Sequence, residues 1–501
     1  MIKKQIIMKK YILSLIVLAY GLTSIAQTYT IDVKIKGITD SLAYLASYTG
    51  KDLLLVDTAV VRKDGSFTFT KDNLPHGVYS IVASMSPPKY FDFLLNETKV
   101  SLETSLDRLT QDMVVKKSKE NKLFFEYVSF LSKSSELKKP LLSQREEFRK
   151  LNNTEKIKEL EKKIYEIDKG VTEYQKNLVK SNSDMFIGKL ITMSLEIKIP
   201  SPPTELKDTA SFNYEYYKNH FWDNVDLSDD RLGKSALFFN QMEKYFMNII
   251  PQTPDTIIKR IDIFLNQLKP NGSMMKSAIE FLAYAHVKTK LMGMESIYVH
   301  VCDKYILNGK SAWIPKDKIE KIRPKVNKMR PVLIGKVAPN LILADTTEKN
   351  WINLHKDMKA EYTLLVFWSD ECGHCKTEIP KYKKLYDSIK ANTDIDFDVF
   401  AVGTIIDNDG WRKFIKDNYL TWTNVSDFRA MRDSPDQYIL SGQTDLRSIN
   451  YRNSYDIYVT PIAFLLDKDN KIIAKQFEPK QLQKLLEFEI AKKKRAEEEN
   501  K

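Results

Sequence analysis

The sequence is poor in cysteine: only Cys302, Cys372 and Cys375 occur in 501 residues, and two of them lie close together. A protein held together by disulfides carries several well-separated pairs. A bridge between Cys372 and Cys375 would close a very small ring, which adds little stability through chain entropy. The sequence therefore argues against a disulfide-stapled scaffold and leaves chemistry as the reason for the close pair.

Long apolar runs are also scarce, and the one at Tyr11–Tyr20 has about half of the ~20 residues that a membrane-spanning helix needs. Lysines precede this run and the small residues Ser24 and Ala26 follow it, which is the pattern of a secretory signal peptide. We expect residues 1–26 to be cleaved near Ala26 and the protein to be exported to the periplasm or cell envelope. An uncleaved membrane anchor is the alternative. No cysteine stands near residue 27 to carry a lipid, and no later segment is apolar enough to span a bilayer.

Arginine-rich clusters with interleaved aromatic residues are absent, although the chain is basic overall, with 78 Lys and Arg against 66 Asp and Glu. The formal charge is +12, and loss of the four lysines in residues 1–26 lowers it to +8. Basic and acidic residues are mixed along the chain, which is typical of a solvated surface. Nucleic acid is therefore not an expected partner.

Residues 27–108 follow the pattern of an antiparallel β domain. From Tyr29 to Ile35, apolar residues alternate with polar ones, as in a half-buried strand. Six or seven short runs of this kind occur, and Lys63–Gly65 predicts a hairpin turn between two of them. We expect a small β-sandwich-like domain.

Residues 109–330 change to long stretches rich in Lys and Glu, which favour helices. Beginning at Thr154, a candidate N-cap, apolar residues recur at alternating steps of three and four: Ile157, Leu160, Ile164, Ile167, Val171, Tyr174 and Leu178. This heptad pattern predicts a helix that forms an antiparallel hairpin with an earlier helix at about 117–138, with Pro140 and the Asn152–Asn153 turn between them. A dimerising coiled coil is the alternative. Further helices are predicted around 235–249, 254–268, 273–289, 293–307 and 315–328, so we expect an all-α domain.

From residue 333 to residue 490, apolar strands alternate with helical segments, which is typical of an α/β fold. The predicted strands are Thr363–Trp368, Phe397–Val402, Ile462–Leu466 and Lys471–Lys475. A final amphipathic helix is predicted from Lys480, followed by a charged tail at 491–501. The sequence thus predicts three domains after the signal peptide, at 27–108, 109–330 and 333–490.

The close cysteine pair lies between a predicted strand and a predicted helix, within Phe367–Pro380. A cysteine reacts as its thiolate. At Cys372 the first free N–H groups of the helix and the helix dipole favour negative charge, and His374 adds positive charge nearby. Asp370 and Glu371 oppose this by repulsion. We expect the Cys372 pKa to lie below the ~8.5 of a free cysteine.

In the expected reaction, Cys372 forms a mixed disulfide with a substrate protein, and Cys375, one helical turn further and less exposed, resolves it. Glu378 lies three residues beyond Cys375, so it can sit beneath the pair. There it is a candidate acceptor for the proton of the resolving thiol. A solvated carboxylate in the first turn of the helix is the alternative role for Glu378.

This segment resembles the TlpA/ResA-like extracytoplasmic thiol-disulfide oxidoreductases of the thioredoxin superfamily. Phe367–Trp368 ends the strand just before the cysteines, and Glu378 and Pro380 complete the Cys-x-x-Cys-x-x-Glu-x-Pro pattern of that branch. Gly335–Asn340 is similar to its entry motif. The resemblance covers about residues 333–480 and implies a thioredoxin-like fold.

Val459-Thr460-Pro461, before another apolar strand, matches the same family. The resemblance implies that Pro461 is cis and faces the cysteines, and that the backbone beside it pairs with the substrate peptide. The expected substrate-binding residues are Trp368, Gly373, His374, Thr460 and Pro461.

The sequence also departs from the family pattern. Glu371 replaces the aromatic residue that usually precedes the first cysteine, and Val366 stands where thioredoxins bury an aspartate, which favours Glu378 as the proton acceptor. The Gly373–His374 dipeptide matches protein disulfide isomerase, whose active-site disulfide is more oxidising than that of thioredoxin. Residues 28–330 resemble the β domain and helical domain that are fused to such modules in exported proteins of Bacteroidota-type bacteria.

A zinc site is the main structural alternative for a Cys-x-x-Cys pair, but it needs two more ligands. His300 and Cys302 could supply them only from a predicted helix of another domain. A peroxidase pattern would require Pro and Thr where Leu365 and Ser369 stand. We therefore expect no metal and no cofactor apart from the redox-active pair, and we expect Cys302 to be a small buried residue.

The sequence thus predicts an exported enzyme that exchanges electrons with protein disulfides through Cys372-Gly373-His374-Cys375, with the reductase direction favoured. Its partners would be substrate proteins and, by family analogy, a membrane dithiol relay of the DsbD/CcdA type as electron donor. Two alternatives stay open. One is an envelope interaction or assembly protein in which the dithiol senses redox state, and the other is a disulfide isomerase or oxidase.

Overall fold

The computed structural model describes residues 27–287, 291–309, 311–404 and 408–499. The predicted signal peptide at residues 1–26 lies outside these ranges. The chain forms two compact units, one of residues up to Ile250 with Phe264–Ala278, and the other of Pro251–Ile263 with the residues from Ile279 onward. Within the described ranges, no helix combines the length and apolarity that crossing a bilayer requires. The predicted boundaries of the three domains stay a prediction.

The β region at the start of the first unit consists of two four-stranded sheets, with strand orders β4-β1-β7-β8 and β3-β2-β5-β6. The strands are β1 (Thr28–Lys36), β2 (Leu42–Thr49), β3 (Asp52–Val60), β4 (Ser66–Asp72), β5 (Gly77–Met85), β6 (Pro88–Leu95), β7 (Lys99–Ser105) and β8 (Val114–Lys117). Alternate residues of β1 are buried, and they share one apolar core with residues of the other sheet. The predicted sandwich-like arrangement is therefore confirmed.

Two long helices follow, α1 (Lys119–Lys150) and α2 (Thr154–Ser181), and they pair as the predicted antiparallel hairpin. The rings of Phe130 and Tyr174 stack at 4.1 Å, and Lys138 forms an ion pair with Asp168 at 2.6 Å. The heptad seam of α2 thus packs on a helix of the same chain.

Two details of this hairpin differ from the prediction. Pro140 lies inside α1 rather than between the helices, so the predicted end of the first helix near residue 138 was wrong. A proline removes one backbone hydrogen bond, and the contacts that α1 makes with α2 hold both halves of the helix in place. The N-cap of α2 is Asn153, whose side chain accepts a hydrogen bond from the N–H of Lys156, rather than Thr154.

The remainder of the helical region contains α3 (Phe186–Ser194), α4 (Thr209–His220), α5 (Ala236–Glu243), α6 (Pro254–Leu265), α7 (Ser273–Val287), α8 (Glu295–Val301) and α9 (Lys316–Met329). The five predicted helices are all present. Two of them, α5 and α8, continue into π-helical turns at Lys244–Ile249 and Cys302–Ile306. Helices α3 and α4 were not predicted from the sequence.

The carboxy-terminal part is a seven-stranded sheet of order β10-β9-β13-β12-β11-β14-β15, flanked by helices. Its strands are β9 (Ile342–Asp345), β10 (Trp351–Asn353), β11 (Tyr362–Trp368), β12 (Phe397–Gly403), β13 (Thr423–Ser426), β14 (Ile462–Asp467) and β15 (Ile472–Lys475). Its helices are α10 (Leu354–Asp357), α11 (Gly373–Asn392), α12 (Asn408–Asp417), α13 (Arg429–Asp433), α14 (Pro435–Leu440), α15 (Leu446–Ile449), α16 (Tyr451–Ser454) and α17 (Pro479–Glu499). The expected α/β fold is present, with β9, β10 and β13 as additional short strands.

The central strand β11 is buried along its whole length and divides the core in two. Because side chains alternate across a strand, Val366 and Trp368 pack on one side, with Cys375 of α11. Leu365 and Phe367 pack on the other side. Strand β11 therefore fixes the face of the sheet on which the cysteine pair lies.

Strand β15, at the edge of this sheet, ends in a buried lysine. Lys475 is 5% exposed. Its Nζ lies 2.8 Å from a carboxylate oxygen of Glu295. The same Nζ donates a hydrogen bond to the carbonyl oxygen of Val332 at 2.9 Å. Glu295 is the first residue of α8. The ion pair therefore fastens α8 to the end of the edge strand, within one compact unit.

Replacement of Lys475 by Met is expected to lower the free energy of unfolding by about 3 kcal/mol, because it leaves the Glu295 carboxylate buried without its cation. Urea unfolding of the full chain, followed by tryptophan fluorescence, measures this change. The double variant K475M/E295L removes both charges and should be closer to wild type than K475M alone. Equal destabilisation of the single and double variants would show that the buried charge is not the cause.

Candidate dithiol active site

The first cysteine occupies the start of a helix. Cys372 is the N-cap of α11, and its sulfur accepts a hydrogen bond from the N–H of Cys375 at 3.4 Å. Its own N–H donates to the carbonyl oxygen of Ser369 at 3.3 Å, which closes the turn between β11 and the helix. The sulfur therefore faces the free N–H groups of the first helical turn, where the helix dipole favours negative charge.

The second wall of the site comes from the segment before β14. The Thr460–Pro461 peptide bond is cis, as the family resemblance implied. Ile462, the first residue of β14, pairs with Phe367 of β11 in the antiparallel ladder. This register brings Thr460 beside the turn after β11, where the Cys372 thiol donates a hydrogen bond to the Thr460 carbonyl oxygen at 3.2 Å.

These contacts set the acidity of Cys372. Burial alone would raise the pKa of its thiol, but interactions with the side chains of Thr460 and Cys375 and hydrogen bonds from the backbone N–H groups of residues 374 and 375 outweigh burial and hold the pKa below its ordinary value. The direction agrees with the expectation from the sequence. Cys372 is also partly accessible, so a thiolate formed there can reach a substrate.

Cys375 has the opposite character. It is fully buried against the face of β11 that carries Val366, and burial raises the pKa of its thiol to about 12. The neighbouring Cys372 adds to this rise through its charge and its hydrogen bond. The structure has both cysteines as free thiols, one accessible and acidic, the other enclosed and weakly acidic.

Trp368 lies beneath the site rather than on its surface. It is fully buried, and its ring packs on Phe414 with the centroids 5.1 Å apart. This differs from the predicted substrate contact. The physical reason is the alternation along β11, which directs Trp368 to the same buried face as Cys375. In this conformation it supports the turn that carries the cysteines.

The other predicted site residues lie on the surface around the pair. Gly373 and His374 are exposed in the first turn of α11. Glu378, one turn beyond Cys375, is 24% exposed and forms an ion pair with Lys381 at 2.6 Å. Among the contacts of the described residues, this carboxylate has no hydrogen bond to either cysteine.

A cleft of about 650 Å³ adjoins the pair. It is lined by His374, Glu378, Lys381, Tyr382, the segment from Val459 to Ala463, and the segment from Gln476 to Lys480. Its wall is fixed by the hydroxyl of Tyr382, which donates to the carbonyl oxygen of Phe477 at 2.7 Å. The cleft runs along the cis-proline segment, next to the turn that carries Cys372.

Two contributors to the site, Ser369 and Val459, were not among the site residues expected from the sequence. The backbone of Ser369 hydrogen bonds to Cys375 and acts to lower its pKa, against the larger effect of burial. Val459 is 69% exposed beside the cis proline. An apolar residue directly before the Thr460–Pro461 pair was the available signal for this exposed position.

Cys302 is remote from this chemistry. It is fully buried, burial raises the pKa of its thiol to about 12, and it hydrogen bonds with Tyr298. These properties fit the expected small buried residue. Across the described ranges, no group of three or more His, Cys, Asp and Glu side chains is placed to hold a metal ion.

Three family models match the chain. Residues 29–124 match a domain of unknown function, DUF4369, and residues 148–330 match another, DUF5106. Residues 334–475, which contain both cysteines of the pair, match the AhpC/TSA family. None of the curated proteins matches the chain.

Several solved structures are similar to parts of the chain. A domain of a possible thiol-disulfide isomerase from Cytophaga hutchinsonii is 34% identical, with 33% of this chain and 98% of that chain covered and a TM-score of 0.27. The thioredoxin domain of a thiol-disulfide oxidoreductase from Bacteroides vulgatus is 26% identical, with 31% and 96% covered and a TM-score of 0.25. A thioredoxin-like protein from Bacteroides caccae is 16% identical, with 58% and 98% covered and a TM-score of 0.41.

The alkylation rate of Cys372 in the reduced protein is expected to rise with pH and to level off early. Its lowered pKa places the inflection below that of a free cysteine. Cys375 should stay unmodified across the same range, because its thiol keeps its proton until the pH approaches a pKa of about 12. Iodoacetamide labelling with peptide mass spectrometry measures both rates.

A Cys372→Ser variant is the control, since it should lose the fast phase completely. An inflection at or above that of free cysteine would contradict the assigned role of the helix start. Labelling of Cys375 as fast as that of Cys372 would contradict the asymmetry of the pair.

Proposed function

The carboxy-terminal part of this chain belongs to the AhpC/TSA family and is a thioredoxin-like thiol-disulfide oxidoreductase domain. From that premise, we propose that the protein exchanges electrons with protein disulfides through Cys372 and Cys375. We further propose that it acts as a reductase outside the cytoplasm. The apolar segment at Tyr11–Tyr20, with lysines before it, supports export.

The asymmetry of the two thiols carries this proposal. Cys372 is accessible, has a lowered pKa and lies 3.2 Å from the carbonyl oxygen of Thr460 beside an open cleft. Cys375 is enclosed one helical turn away. A reversible dithiol reaction needs one sulfur that meets the substrate and a second that waits behind it.

In the first step, the Cys372 thiolate attacks one sulfur of a substrate disulfide. A bond forms between Cys372 and that sulfur, and the substrate S–S bond breaks. The other substrate sulfur leaves as a thiolate with the electron pair and takes a proton from water. The product is a mixed disulfide between the protein and its substrate.

In the second step, Cys375 loses its proton and attacks the Cys372 sulfur, so that the substrate leaves as a thiolate and the Cys372–Cys375 disulfide forms. Two electrons have then passed to the substrate. The mixed disulfide prepares this step, because it removes the Cys372 charge that raises the pKa of Cys375. The resolving thiol therefore becomes more acidic only after the substrate is attached.

Glu378 is our proposed acceptor for the proton of Cys375. It lies on the same helix, one turn further along, and is only 24% exposed. Val366 occupies the buried position on β11 near Cys375 and has no group that can take a proton. Glu378 also lines the cleft, from which the proton can pass to water.

A Glu378→Gln variant should resolve the mixed disulfide roughly 10²-fold more slowly, which is the lower end of general base catalysis. Stopped-flow decay of a mixed disulfide formed with a fluorescent peptide measures this step. Lys381→Met is the matched control, since it breaks the ion pair and keeps the carboxylate. If K381M slows resolution as much as E378Q does, Glu378 acts only through its ion pair and is not the proton acceptor.

The proposed oxidoreductase function as a whole is tested with a Cys375→Ser variant. This variant is expected to trap covalent adducts of Cys372 with disulfide-containing envelope proteins. These adducts should disappear with reductant and should be absent in C372S/C375S. Wild type should reduce insulin faster than background. Absence of adducts and of insulin reduction would favour a redox sensor within an interaction protein.

The direction of electron flow is tested by the reduction potential of the pair. A value near ~−270 mV indicates a reductant, and a value between ~−180 and ~−120 mV indicates an isomerase or oxidase. The lowered pKa of Cys372 and the Gly373–His374 dipeptide favour a less negative reduction potential, whereas the TlpA/ResA resemblance favours a more negative one. We propose that the reduction potential is near the more negative value and that the protein is a reductant.

A further inference from the structure

A basic helix lies close to the active-site segment. Helix α9 carries six basic residues, Lys316, Lys318, Lys321, Arg323, Lys325 and Lys328, against two acidic ones, Asp317 and Glu320. It belongs to the same compact unit as the seven-stranded sheet. It lies outside residues 334–475, which match the AhpC/TSA family, so it is an addition to the redox domain itself.

One lysine of α9 contacts the segment that leads to the cis proline, and a second lies beside it in the same cleft. The Nζ of Lys328 donates to the hydroxyl of Tyr458 at 3.1 Å and lies 5.2 Å from the centre of its ring. Lys325 lines the same shallow cleft of about 320 Å³, together with Pro324 and Asp456. Its Nζ lies 5.6 Å from the centre of the Tyr298 ring. Within the part of the chain that the structure describes, neither lysine forms an ion pair, with Asp456 or with any other carboxylate.

This surface is continuous with the reactive sulfur. Tyr458 and Val459 are 74% and 69% exposed, so the Tyr458 ring and the Val459 side chain together present apolar surface to solvent. The next residue, Thr460, places its carbonyl oxygen 3.2 Å from the Cys372 sulfur. Two residues of chain span at most about 7 Å between Cα atoms. A peptide that meets Cys372 with its cysteine and continues along this segment passes over Val459 and Tyr458, and it reaches the lysines within a few residues.

We propose that the substrate-docking surface runs from Thr460 over Val459 and Tyr458 to Lys325 and Lys328, and that it selects disulfides whose cysteine has acidic residues about two to five positions away along the chain. The proposal rests on the proposed function and names its preferred substrate class. The unpaired lysines attract carboxylates and repel a basic flank, and the exposed apolar pair packs against the intervening residues.

An acidic polypeptide fits this surface better than a nucleic acid does. A phosphate backbone would meet only two lysines here, and it would also meet the carboxylates of Asp456 in the cleft and of Asp370 and Glu371 next to Cys372 in the chain. A peptide with one or two carboxylates on one side of its cysteine satisfies the lysines and leaves these acidic positions free of like charge.

The test uses three disulfide peptides that differ only in the flank of one cysteine, with two Glu, two Gln or two Lys. Wild type should reduce them in that order, with kcat/KM differing by about two- to tenfold between the acidic and basic peptides, the range that one or two exposed ion pairs provide. The difference should lie mainly in KM and should shrink as salt is raised.

The variant K325E/K328E should reverse the order of the acidic and basic peptides. K316E/R323E is the matched control, because it changes the charge of the same helix equally at positions about half a turn away around its axis. It should keep the wild-type order. All four residues lie at or near the surface, and equal thermal unfolding midpoints would show that the variants fold.

Equal kcat/KM for the three peptides in wild type would overturn the docking surface while leaving the proposed function intact. Reversal by K316E/R323E as well would also overturn it, since the preference would then depend on net charge alone. Failure of wild type to reduce any of the peptides would overturn the proposed function and this surface with it.

Discussion

The site depends on how a helix start and one carbonyl group surround a single sulfur. The N–H of Cys375 points at the Cys372 sulfur, and the Thr460 carbonyl lies on its other side. Negative charge on sulfur is costly in a partly buried place unless hydrogen-bond donors are already fixed there. The Thr460 carbonyl accepts from the protonated thiol and so fixes its position, whereas the N–H groups of the first helical turn favour the thiolate. The fold supplies them in advance, so the lowered pKa of Cys372 is a property of the scaffold more than of the cysteine itself.

The sheet is what fixes those groups. Strand β11 pairs with β12 on one side and β14 on the other, and all seven of its residues are buried. The turn after β11 delivers Cys372, and the turn before β14 delivers Thr460, because neighbouring antiparallel strands begin and end at the same edge. A shift of register between these two strands would separate the sulfur from its carbonyl partner and turn each side chain to the wrong face.

The sequence predicted the parts of this arrangement that have strong periodicity. The buried strands around the site, the long helices and the cysteine pair at a helix start were all visible as patterns. The short strands β9, β10 and β13 were not, since three or four residues carry too little alternation to stand out. Helix α4 has no buried residue, so it shows no apolar stripe. The burial of Trp368 could not be read from the sequence, because its adjacency to the cysteines says nothing about which face of β11 it occupies.

The match to the AhpC/TSA family begins at residue 334, but residues before that position also pack against the matched domain. Residues 334–475 match one family, yet Lys475 at their end finds its carboxylate at Glu295 and its carbonyl partner at Val332, both earlier in the chain. Cutting the chain at residue 334 would leave a lysine without either partner at the end of β15, directly before the residues that form the cleft wall. Helix α8 and the segment at Val332 are therefore structural parts of the redox module. Helix α9 lies between them in the chain, and its lysines near Tyr458 can change which disulfides reach Cys372 without altering the chemistry of the sulfur.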